Sequence, residues 1–213
     1  MARAADELVS VLRSEIHSGA LKPGDQLEEA ALAKRFGVSR MPVRQAVRSL
    51  VESGLLETRA RKGAFVRVLS PKELADLFEV AAELEGLACR LAASVLTEDD
   101  VEAISRGLED CVHAASNQDS NRYAIANLRF HGAIHKASGN DWLADQLAQI
   151  EVRINSYRSM PYQIRGRLAQ SVQEHREIMD VLVKGNGHDA ARLMRDHMLL
   201  QGKRIPLLVS SSG

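Results

Sequence analysis

The chain has 213 residues, 45% hydrophobic and 26% charged, with 28 basic and 28 acidic side chains that cancel to a net charge of zero. A chain so composed can bury a core, which excludes a disordered polymer, and its length suits one large domain or two small ones. No apolar run approaches a membrane span and MARAADELVS lacks the apolar region of a signal peptide, so a cytoplasmic protein with no membrane partner is expected.

The first segment, Ala4 to His17, sets Leu8, Val9, Leu12 and Ile16 at helical spacing and ends at Gly19, which predicts an amphipathic helix. The Pro-Gly turn of KPGDQL (22–27) leads to a second, short helix over Glu28 to Phe36, and Gly37 supplies a tight turn. Ser39 is the natural N-cap of a third helix, with Pro42 in its first turn; that helix runs to Ser53 and stops at Gly54. Val43, Ala46, Val47 and Leu50 form its apolar side. Met41, Arg44, Gln45 and Arg48 occupy another side, and Arg40 stands at the N-terminal tip. Two β-like runs, LLET (55–58) and AFVRV (64–68), flank the basic turn Arg59–Gly63 and predict a two-stranded hairpin.

From Pro71 onward the pattern is helical. Ser70 caps a helix within residues 70–96 with Pro71 at its first position, and Thr97 with Asp100 makes a capping-box pattern before the next. Further helices are expected at Ser120–Ala137, Trp142–Arg158, Arg165–Val183 and Gly187–Lys203, about six in this half. The breaks fall at SGN (138–140), the Met160-Pro161 step and KGNG (184–187), and the final VSSSG should fray. The expected fold is mainly α: an N-terminal winged helix-turn-helix (1–69) joined to an all-α antiparallel helical bundle that would serve as effector domain (70–206), then a tail (207–213). Cys89 and Cys111 lie far apart in helical stretches and read as buried, reduced thiols.

The charge is unevenly spread. Residues 1–70 hold 12 basic and 8 acidic side chains, leaving 16 and 20 for the rest. Residues 34–67 hold nine basic side chains against Glu52 and Glu57. Such a cluster is either a solvated face or a surface for an anion such as nucleic acid. A recognition helix enters the major groove N-terminus first, so Arg40 and Arg44 could reach guanine edges bidentately. Ser39 and the first-turn amides could hold a phosphate, and Lys62 and Gly63 of the hairpin would approach the adjacent groove or backbone. Arg48 is either a phosphate contact or a solvated side chain. The competing reading is a charged but inert bundle; agreement among cap, helix, hairpin and charge cluster favours DNA.

The run PGDQLEEAALAKRFGVSRMPVRQAVRSLVESGLLETRARKGAFV (23–66) resembles the DNA-binding domain of the GntR family of bacterial transcription regulators. The likeness spans roughly residues 8–68 and rests on the PG turn, the LA pair, GVSR-x-PVR, the GLL step and the GAFV wing. It implies operator-base contacts by Arg40 and Arg44 and a wing glycine, Gly63, lying against DNA. Ala30, Met41 and Gln45 depart from the family's common arginine, threonine and glutamate, which bears on the operator sequence.

Of seven histidines, His131, His175 and His197 fall on three different predicted helices, with Asn127 one turn before His131. Spacing alone leaves two readings: ordinary core or surface histidines, or three imidazoles converging on Zn²⁺ or Ni²⁺ with an amide oxygen beside them. His17, His113, His135 and His188 read as surface or packing residues. FEVAAELEGLACRLAA, NLRFHGAIHKASGN and QEHREIMDVLVKGNGHDAARLMRDHM resemble the effector domain of the fatty-acid-regulator (FadR/FCD) branch of the same family, over roughly residues 72–203. That resemblance implies a divalent metal held by Asn127, His131, His175 and His197, with asparagine in place of the usual aspartate. It also implies a small carboxylate effector beside the metal. Ala81 stands where relatives often have a clamping arginine, leaving Arg153 as the candidate, while Arg129 and Arg90 read as structural ion-pair residues.

The resulting expectation is a ligand-responsive regulator of the repressor type that binds a palindromic DNA operator as a homodimer. Two alternatives stand beside it: a metal-dependent enzyme acting on a small carboxylate, or a DNA-binding protein whose metal is purely structural. The enzyme reading lacks support from any HExxH, nucleophile elbow or Gly-rich phosphate loop.

Overall fold

The computed structural model describes residues 2–158, 162 and 164–211, with side chains for 4–155, 157, 162 and 164–203. The Met160-Pro161 step expected to break the chain lies outside the described residues. The chain divides into two compact units, one formed by residues up to Leu69 together with Glu151–Ser156, the other by the remainder from Ser70.

The first unit runs α1 (Ala2–Ser18), β1 (Gln26–Leu27), α2 (Glu29–Phe36), α3 (Arg40–Glu52), β2 (Leu56–Arg59) and β3 (Gly63–Val66). Leu8, Leu12 and Ile16 of α1 are buried against Leu32, Val43, Ala46, Val47 and Leu50, so the apolar stripes read in the sequence become one core. Gly37 adopts the left-handed conformation (φ 65°) that ends α2, its N–H bonding back to the Ala33 and Lys34 carbonyls, and this sets up the turn into α3. Ser39 occupies the N-cap position with extended backbone but its side chain makes no capping bond.

The ribbon has one more strand than the sequence suggests. The sheet order is β1-β3-β2, all antiparallel, with Gln26 opposite Phe65 and Leu27 opposite Ala64. A two-residue strand carries no alternation to read. Its pairing makes β3 the central strand, which is why Ala64, Phe65 and Val66 are all buried.

The rest of the chain runs α4 (Pro71–Ala92), α5 (Glu98–Ser116), α6 (Ser120–Ala137), α7 (Asp141–Arg158), α8 (Arg167–Val183) and α9 (Gly187–Ser211), all in the second unit except Glu151–Ser156 of α7. Both predicted caps form as capping boxes: Ser70 with Glu73, and Thr97 with Asp100. The last helix continues to Ser211, past Lys203 where the apolar period ends, and so takes in most of the expected tail. Close packing is set by small residues. A Cβ on Gly107 of α5 would lie 2.8 Å from Phe130 Cα of α6, and one on Gly202 of α9 would lie 2.6 Å from Phe78 Cβ of α4. These approaches seat α5 on α6 and α4 on α9. Cys89 and Cys111 are buried and free. Among the described residues, no helix is long and apolar enough to cross a membrane.

Candidate functional site

In the first unit, the burial of Val43, Ala46, Val47 and Leu50 leaves Arg40, Met41, Arg44, Gln45 and Arg48 on the exposed side of α3. Arg44 lies 3.3 Å from Glu29 of α2, and Arg48 lies 2.8 Å from Glu52 one turn on. Exposed pairs of this kind are worth about 0.2–1 kcal/mol, so either guanidinium can exchange its carboxylate for another anion at little cost. The hairpin turn is held from below, where Gln26 Nε2 donates to the Lys62 carbonyl at 2.6 Å. Arg61 and Gly63 both take positive φ, 61° and 91°, which keeps the turn tight, and the Arg59 guanidinium lies 4.3 Å above the Phe65 ring. Arg59, Lys62 and Gly63 share the lining of one surface groove with Glu29, Ala30 and Val47. Arg59 and Arg61 belong to the basic turn read in the sequence, whereas the Gln26 prop depends on a strand pairing that appears only in three dimensions.

In the second unit, the histidines predicted from three separate helices do converge. Nitrogens of His131 (α6), His175 (α8) and His197 (α9) lie within 4.8 Å of one another, all buried. Ring centroids are 5.5 Å apart for His131–His175, 5.4 Å for His131–His197 and 4.8 Å for His175–His197. Asn127, one turn before His131, is 1% exposed. The Asn127 Nδ2 and Oδ1 and both ring nitrogens of His175 are buried without a hydrogen-bond partner. Each such orphan costs about 1–3 kcal/mol. A cation held by the three imidazoles with the Asn127 oxygen beside it would satisfy that oxygen and one nitrogen of His175, so the donor set fits a divalent transition metal.

The rings are prepared for ligation. Burial, then the neighbouring His197 and His131, holds the His175 imidazolium well below the usual histidine range. His197 is pushed down to about 4 by burial, with Glu174 opposing and His131 adding to the shift. Both are therefore neutral near pH 7, the state that binds a metal. His197 Nδ1 lies 2.6 Å from Glu174 Oε2 and His131 Nδ1 lies 3.0 Å from Glu85 Oε2, so each carboxylate accepts an N–H and leaves the Nε2 lone pair inward. Gln201 Nε2 is 3.0 Å from His197 Nε2, and that amide must turn aside before the nitrogen can ligate.

Arg153, the candidate for an effector's carboxylate, belongs with Glu151–Ser156 of the first unit and donates to the Ser53 carbonyl at 2.6 Å. Its guanidinium is half-buried, and burial, with Arg13 and Arg67 nearby, lowers its pKa. The cation beside the histidines is Arg167, buried, with Nη1 and Nη2 each 2.9 Å from Glu174 Oε2. His135, taken with His17, His113 and His188 as a surface or packing residue, is buried with Nε2 2.9 Å from Glu85 Oε2. Arg129 does form an ion pair, at 3.0 Å from Asp110. Glu85 had a readable signal, since it falls on the buried stripe of α4 between Phe78, Ala82 and Cys89.

Residues 4–66 match the bacterial regulatory proteins of the gntR family, and residues 76–200 match the FCD domain. The chain is 30% identical over 205 residues to the HTH-type transcriptional regulator YdhC of Bacillus subtilis, covering 90% of this chain and 91% of that protein. It is 24% identical over 192 residues to the HTH-type transcriptional repressor RspR of Escherichia coli, covering 90% and 84%. The solved structure of E. coli McbR/YncC superposes with a TM-score of 0.82 over the full length of both chains, at 23% identity.

Proposed function

Since the chain belongs to the gntR family of bacterial regulatory proteins and carries an FCD domain, we propose that it is a ligand-responsive repressor that reads a palindromic operator as a homodimer in the cytoplasm. GntR regulators bind DNA operators, typically as dimers, and the relatives of this chain are transcriptional regulators rather than enzymes. The observation that carries the DNA assignment is the exposed arginine side of α3 over a fully buried apolar side. Arg40 and Arg44 read base edges, Ser39 and Arg48 contact phosphate, and Lys62 and Gly63 bring the hairpin to the adjacent groove.

In the bundle, Asn127, His131, His175 and His197 hold a divalent metal, zinc or nickel. A metal bound there would supply Lewis-acid affinity for one oxygen of a small carboxylate. Arg167 is the buried cation nearest the ligating histidines, one residue beyond Glu174 in a contact chain that ends on His197. It, rather than Arg153, orients the effector's anionic end. Effector binding favours one arrangement of the bundle and thereby changes operator affinity.

The test is fluorescence anisotropy on an operator duplex with a panel of small mono- and dicarboxylates, using zinc-loaded and chelator-stripped protein. At least one acid is expected to weaken operator binding in the loaded protein alone. A panel without effect, or an effect that survives metal removal, would contradict this reading of the bundle.

A further inference from the structure

Resting on the metal-binding reading above, we infer that Glu85 supplies the negative charge of the histidine centre from one bond further out, acting through His131, so that the amide at Asn127 suffices as the oxygen donor. The donors themselves are neutral: three imidazoles and a carboxamide. A dication in a buried site with no anion near it bears a heavy desolvation penalty. Glu85 is 1% exposed and comes from α4, a helix that contributes none of the donors. Its Oε2 lies 3.0 Å from His131 Nδ1 and 2.9 Å from His135 Nε2. By accepting the Nδ1–H it fixes one tautomer of His131, directs Nε2 to the centre, and makes that nitrogen a stronger donor.

Glu174 stands in the same relation to His197, but its charge is shared with Arg167, whose Nη1 and Nη2 are both 2.9 Å away. Glu85 instead is gripped by imidazoles, with His135 holding its oxygen one helical turn beyond His131 on the same face of α6. Glu85 is thus a positioning residue for His131, and His135 positions Glu85. The spacing of Glu85, His131 and His135 would also suit a cation of their own. Ligation by both nitrogens of His131 at once requires that ring to lose its remaining proton, and the 3.0 Å contact with Glu85 is instead the length of an ordinary N–H···O bond.

The test is chelator competition for Zn²⁺ on the full chain in wild type, Glu85→Gln, Asn127→Asp and the double variant, with ¹⁵N NMR of the imidazoles in the metal-free protein. Glu85→Gln keeps an acceptor but removes the charge, and is expected to weaken zinc binding about 10–100-fold. Asn127→Asp in the same chain should restore most of that loss. The wild-type His131 ring should report Nδ1–H, and Glu85→Gln a tautomer mixture. Unchanged zinc affinity in Glu85→Gln overturns the assignment, as does a loss that Asn127→Asp leaves in place. A second ion per chain, lost on His135→Ala, would make Glu85 a ligand and overturn it equally. A wild-type chain that binds no zinc or nickel defeats the metal reading itself, an outcome distinct from all of these. If Glu85→Gln does not fold, the wild-type tautomer decides, and Nε2–H on His131 overturns the inference.

Discussion

Arg44 is the residue on which the DNA reading turns, and its pairing with Glu29 is weak enough to be exchanged at a groove. A bidentate base contact discriminates by about 1–3 kcal/mol, so Arg44→Ala, present twice in a dimer, should lower operator affinity at least tenfold while leaving the fold intact. Anisotropy and circular dichroism would check both halves; unaltered operator affinity would remove Arg44 from the interface. Arg48→Ala should weaken binding uniformly across sequences and flatten the salt dependence by about one unit of slope per lost contact, measured as log affinity against log salt. In the bundle, His175→Ala should cost zinc content, read by atomic emission, and a fully metallated variant would refute the ligand set. Acid should destabilise the metal-free protein. His197 falls from the ordinary histidine value near ~6.5 to about 4 on folding and His175 falls further, so the unfolded chain takes up protons that the folded one refuses. Stability is therefore full above pH ~6.5 and is lost as pH falls toward 4. Burial raises the Glu85 carboxyl, but His131 and His135 outweigh it and hold it well below its usual range, which adds a loss of the same sign at lower pH. Thermal melts of chelated protein at neutral pH and at pH 5 should differ; identical melting temperatures would contradict the assigned burial of neutral imidazoles.

Helices were legible in the sequence wherever the period and a cap coincide, as at Ser70–Glu73 and Thr97–Asp100, because both signals are local. Asn127 and His131 could be joined by spacing alone, being one turn apart. The convergence of His175 and His197 with them could not, because it depends on how α8 and α9 pack, and it was reached through resemblance. Arg153 shows the same limit: a charge on a predicted helix says nothing of which neighbour that helix meets. Glu85 is legible as a carboxylate on the buried stripe of α4, but its partnership with His135 becomes visible only across the α4–α6 contact. Gly107 marks where α5 closes on α6. An added methyl there meets the Phe130 backbone nitrogen at 2.9 Å and cannot be relieved by a rotamer change. Gly107→Ala should thus destabilise by about 1–3 kcal/mol despite alanine's better helix propensity. It should also disturb zinc binding, since Phe130 precedes His131 and stacks on His175 at 4.2 Å. A stabilised variant with normal zinc affinity would show that α6 yields easily.

At the scale of the whole molecule, basic charge gathers in the first unit and buried imidazoles in the second, with the net charge at zero. Long-range attraction to DNA therefore comes from one patch and not from the chain as a whole, which makes binding sensitive to salt. A homodimer would place two such patches on successive turns of a duplex, so two-fold symmetry in the protein demands it in the site. The measurement that bears most directly on the account is selection of bound sequences from a random duplex library by the purified zinc-loaded protein at low and physiological salt. Enrichment of a palindrome whose half-sites lie about one helical turn apart, and its loss with Arg44→Ala, is the predicted result. Retention of duplexes without any enriched sequence, in a protein that is folded and loaded, would contradict it.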